Sequence, residues 1–175
     1  MGIITAEIFY PPGYSISLSM ISTLGASPPP DSVIREPSAV IFDITMMIVG
    51  AIILVASFLM HKTFDKKLTI SMGLLGLGAL GVGVFPAFHV VMHPIVALIT
   101  FASGGVAAIL SAKTTKSPFS YISIILGLIT LSFLFLGVVF PHSIVPILGS
   151  GGTERWAAYP VMIWLIGYGG YLMSK

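Results

Sequence analysis

The chain has 175 residues, 56% of them hydrophobic and 8% charged, with a mean hydropathy of +1.05, whereas an ordinary soluble domain is about a quarter charged. Such a composition excludes a soluble globule and points to an integral membrane protein. The formal net charge of +2 comes from eight basic residues scattered between apolar runs, so there is no basic stripe for nucleic acid, and the lack of cysteine excludes disulfides, thiolate nucleophiles and thiolate metal sites.

In chain order, MGIITA carries no basic leader of the signal-peptide kind, and has Ala6 where a myristoylation signal wants Ser or Thr. GIITAEIFYPPGYS reads like the final turn of a helix followed by its exit loop, so a preceding helix is expected to be missing or truncated. Residues 1–38 are assigned to an extracytoplasmic segment, with the triple proline at 28–30 as a stiff connector, and residues 39–175 to a transmembrane helical bundle. A hydrocarbon core of about 30 Å takes about 20 apolar residues at about 1.5 Å of rise each. Five segments meet or approach this: Ala39 to Met60, Leu68 to Pro86, Pro94 to Ala112, Phe119 to Phe140 and Ala157 to Met173. Helices are the default, because lipid leaves exposed backbone groups unsatisfied and the runs lack a barrel strand's alternation.

Short basic loops stay in the cytoplasm. Lys62, Lys66, Lys67, Lys113, Lys116 and Lys175 fall on one side, and only Arg35 and Arg155 on the other. Six against two puts the C-terminus inside and the N-terminus outside. Aromatic-Pro recurs in IFYPPG, GVFPAF and VVFPHS, each where a span meets the outer side, and three such hairpins would make a six-helix pattern. The glycines of GLLGLGALGVG, with Gly104, Gly105 and the GYGGY run, are expected to let helices approach closely.

This topology collects the non-lysine polar groups at the outer end. Ser15 and Ser22 offer hydroxyls there without a nucleophile elbow around either. Asp43 sits about one turn inside the first full span. It is either a functional carboxylate paired with Arg155 or a histidine, or a helix-start carboxylate favoured by the dipole. His89 and His93 are four apart, the spacing that aligns two ligands on a helical face, and His142 or Glu154 would complete a zinc site. The competing reading has these histidines bonding between helices or sitting among headgroups. Glu154 and Arg155 are sequence neighbours, so they point apart and are expected to serve separate partners. Arg155 suits a phosphate or carboxylate through its planar fork. Alternatively the pair is an interfacial anchor beside Trp156 and Tyr159.

YPPGYSISLSMISTLG, IFD at 41–43, HPIVALITF at 93–101 and GGTERWAAYPVMIWLIGYGGYL together resemble the membrane family known as domain of unknown function 998. The resemblance implies a six-helix pattern whose serine-leucine-glycine element follows a first span. It also marks Ser22, His93, Glu154 and Arg155 as family-pattern positions, with Asp43 standing where Asn is expected. It assigns no activity, and any cofactor is unknown.

The expectation is therefore an all-α bundle of five transmembrane helices with an outer polar pocket. Ser22, Asp43, His93, Glu154 and Arg155 would line it for a lipid headgroup or small anion. The rival readings are an accessory subunit that packs against other membrane subunits or a second copy, a lipid hydrolase using His93 or Glu154 as acid or base, and a small proton-coupled transporter.

Overall fold

A computed structural model describes residues 1–174. Lys175, one of the six inner-side lysines, lies outside the described residues. Among the described residues there are six α-helices and one 3-10 turn, and no strand. The helices are α1 (Gly2–Ile8), α2 (Ser38–Met60), α3 (Lys66–Val84), α4 (Met92–Ser111), α5 (Phe119–Val139) and α6 (Pro141–Met173), with the 3-10 turn at Ile21–Leu24. Four of them, α2 to α5, are long and apolar enough to cross a membrane.

The short α1 covers most of GIITAEIF, and it packs on α2. Consecutive helices from α2 to α6 pack side by side, and α6 also reaches α4. Glycine sets the closest approaches. A Cβ on Gly78 would sit 2.7 Å from the backbone nitrogen of Thr100 on α4, and one on Gly76 would sit 2.9 Å from the carbonyl of Gly50 on α2, so larger residues would prise these helices apart. The GYGGY run differs from expectation. Gly167 meets the Phe119 ring, but a Cβ at Gly169 or Gly170 would meet nothing.

Two buried clusters stack along the bundle. One joins Met60, Leu68, Ala107, Trp164 and Tyr168 from α2, α3, α4 and α6. There the indole of Trp164 donates to Ser111 Oγ at 2.9 Å, and the Tyr171 hydroxyl accepts the Lys116 N–H at 2.9 Å. These contacts bring both lysine-bearing loops and the C-terminal end of α6 to one end of the bundle. Asp65 caps α3 there, accepting the Lys67 N–H at 2.8 Å. The second cluster joins Ala6, Ile21, Leu24, Phe42, Val82, Val96 and Ala158, and belongs to the opposite, acid-rich end.

The segment 141–156, expected as an outer loop, is helical. Pro141 starts it, a position where a missing N–H costs nothing. Gly149 then breaks it with φ 77° and ψ 165°, and the helix resumes to Met173. The segment expected as the fifth span, Ala157 to Met173, falls in the second arm of α6, which is not among the four helices long and apolar enough to cross a membrane and which carries Glu154 and Arg155 in its opening turns.

Candidate functional site

The break at Gly149 exists because another piece of backbone occupies the space. A Cβ on Gly149 would overlap the carbonyl of Ser17, and one on Gly151 would overlap that of Ser19. Only glycine lets the 15–19 turn lie on the helix. Once there, its carbonyls face the start of the second arm. The Gly152 N–H donates to Ser17 O at 3.0 Å, and the Ser150 hydroxyl donates to Leu18 O. The orphan donors of a helix start are satisfied by a loop more than 130 residues away in sequence.

Arg155 completes this docking. Its Nη1 donates to the carbonyls of Ile16 at 2.7 Å, Ser19 at 2.9 Å and Gly151 at 3.1 Å. Its Nη2 donates to Glu7 Oε1 at 2.8 Å and to the Tyr14 hydroxyl at 2.7 Å. The residue is 5% exposed, and a buried guanidinium needs this shell of acceptors to offset its desolvation. Nε alone has no partner. Tyr14 in turn donates to Met20 O at 3.1 Å, and burial pushes its phenol up to about 12, against the opposing pull of Arg155.

Glu154 points elsewhere. Its carboxylate accepts the Ile21 N–H, and the Ser22 backbone and hydroxyl face it as well. It therefore caps the 3-10 turn while its neighbour grips the preceding loop. Ser22, His93 and Glu154 line one small cavity of about 40 Å³ together with Phe42 and Thr100, room for one water. The Nδ1–H of His93 donates to Phe85 O at 2.7 Å, which leaves Nε2 of the neutral ring as an acceptor.

The remaining expected residues lie apart. Asp43 does not meet Arg155, because Glu7 holds that charge; its Oδ1 is buried against Gly25 without a hydrogen-bond partner. His89 is exposed and packs on the rings of Phe85 and Phe88. His142 is exposed on the first arm of α6. Among the described residues no three His, Cys, Asp or Glu side chains are grouped to hold a metal ion.

A far larger space opens on the other face of α6. A groove of about 880 Å³ runs between the 14–17 turn, α5 and the second arm of α6. Leu126, Ile129, Pro160 and Ile163 form its walls, and Tyr14, Ser15, Ser17 and Arg155 border its acid-rich end. Trp156 lines it too, stacked on Phe133 at 5.2 Å. Glu7, Tyr14 and Trp156 were not read from the sequence as parts of one site. Glu7 left only a faint signal, as a lone carboxylate in the apolar run GIITAEIF.

The family described as "Protein of unknown function (DUF998)" matches residues 1–170. The chain belongs to the DUF998 family. No curated protein and no solved structure matches it. In this DUF998 member Arg155 docks the 15–19 turn, while Ser22, His93 and Glu154 line the small cavity.

Proposed function

We propose that this DUF998 member is a multi-pass protein of the cell membrane whose groove between α5 and α6 binds a membrane lipid. The second arm of α6 joins α2 to α5 as a fifth span, with the lysine-rich end in the cytoplasm and the N-terminal segment outside. The observation that carries the reading is the groove. Its volume of about 880 Å³ is of the size that small-molecule sites use. Its walls lie on α5 and on the arm of α6, at depths where the surrounding medium is hydrocarbon. An acyl chain against Leu126, Ile129 and Ile163 would place its head beside the hydroxyls of Ser15 and Ser17.

Native mass spectrometry from a mild detergent tests this. Wild type is expected to retain lipid, and the double substitution Ile129→Phe/Ile163→Phe, which fills the groove, to lose it. Equal retention by both proteins would remove the groove from the argument. Sidedness is tested separately in intact cells. A thiol introduced by His142→Cys should react with an impermeant maleimide, and one introduced by Lys116→Cys should not; the reverse pattern inverts the topology.

A further inference from the structure

We infer that the groove selects amphiphiles with an uncharged head, of the diacylglycerol or long-chain alcohol type, over anionic phospholipids. This rests on the lipid-groove reading and adds to it the chemistry of the head. Among the described residues Arg155 is the one cation in the lining, and on sequence grounds it is the natural grip for a phosphate. The geometry removes it from that role. Both terminal nitrogens are spent on Glu7, Tyr14 and three backbone carbonyls, and the ion pair with Glu7 at 2.8 Å cancels its charge. Its residual donor, Nε, is buried beyond the reach of a headgroup.

Five carboxylates, Glu7, Asp31, Glu36, Asp43 and Glu154, share the acid-rich end with Arg35 and Arg155, and of these seven groups only Arg155 lines the groove. A phosphate diester entering the groove would find no free cation among the described lining residues, and would be partly desolvated by the walls. What the rim does offer is neutral. Ser15 and Ser17 hydroxyls lie 3.2 Å apart in an exposed turn and can exchange their mutual bond for a hydroxyl or ester oxygen. A small uncharged head matches this rim, and one chain of such an amphiphile matches the apolar walls, a second remaining in the surrounding bilayer.

Tryptophan quenching by brominated lipids separates the possibilities, because the chain has two tryptophans and only one is accessible. Trp156 lines the groove and is 48% exposed, while Trp164 is 0% exposed. Full-length protein would be placed in phosphatidylcholine vesicles containing brominated diacylglycerol, brominated phosphatidylglycerol or a brominated cationic lipid at equal mole fraction. The expected result is saturable quenching of Trp156, with an apparent affinity for diacylglycerol at least about fivefold above that for either charged lipid, abolished by Ile129→Phe/Ile163→Phe. Tighter binding of phosphatidylglycerol that fades with added salt would overturn the inference and return Arg155 to phosphate binding. Preference for the cationic lipid would overturn it in favour of attraction by the acidic end. If no lipid gives a saturable component sensitive to the groove-filling substitutions, the groove reading itself fails, and the head selectivity fails with it.

Discussion

Replacing Arg155 by methionine removes the shared anchor of α1, the 15–19 turn and the second arm of α6. Methionine roughly keeps the apolar stem and deletes the fork. Breaking a buried ion pair by removing one partner costs about 3–5 kcal/mol. Here the two side chains are 6% and 21% exposed, so the abandoned Glu7 keeps some access to polar surroundings and the lower value applies. The carbonyls of Ile16 and Ser19 belong to a turn that can rotate outward, which limits their added penalty, whereas Gly151 O lies within the helix. An overall loss of about 3 kcal/mol corresponds, on the scale of globular domains of this size, to a fall of about 6–12 °C in Tm. Thermal unfolding in detergent measures it. A local reporter is supplied by Ala6→Cys, since Ala6 is fully buried and the chain has no other thiol. In the Arg155→Met background that thiol should become reactive well below the global transition. Arg155→Lys should fall between, because a single ammonium cannot span Glu7, Tyr14 and the turn together. A Tm within about 2 °C of wild type, with the position-6 thiol still protected, would refute the clamp.

Three further outcomes follow from the same geometry. Gly151→Ala should undock the turn without touching any charge, because its Cβ has no space beside Ser19 O; the reactivity of the thiol from Ala6→Cys again reports it, and wild-type protection would contradict the close approach. Trp164→Phe should cost about 1–3 kcal/mol by thermal unfolding, since it leaves Ser111 Oγ without the indole donor in a site with no access to water. Spectrophotometric titration should show one tyrosine ionising near 12, absent in Tyr14→Phe. Because burial raises this pKa above the unfolded value of 10.0, the stabilisation it reflects is complete below pH 10 and is lost as pH rises toward 12.

The spans were legible because one physical quantity, apolar length, sets them. Ser38–Met60 and Phe119–Val139 begin and end within a residue of the segments read from hydropathy. The lysine loops also gather at one end, as their spacing between spans demands. The site was less legible, for a different reason. Arg155 and Glu154 do face separate partners, which helical geometry alone predicts, but those partners are mainly main-chain carbonyls and amides between Ile16 and Ile21. Backbone acceptors leave no mark on residue identity. The pairing expected of Arg155 with Asp43 fails because Glu7 is nearer, and nothing in a local window ranks one distant carboxylate above another. The break at Gly149 was not read at all, because its cause is a crossing stretch of backbone, residues 17–19, that lies far from it in sequence order.

That crossing has a bearing on biosynthesis. Ile21 and its acceptor on Glu154 are 133 residues apart, so at the usual pace of translation the strap is made roughly seven to twenty-seven seconds before its dock exists. For that interval its amides, the carboxylate of Glu7 and the phenol of Tyr14 must be tended by headgroups, water or the insertion machinery. The arm made later is the one that holds the earlier turn in place.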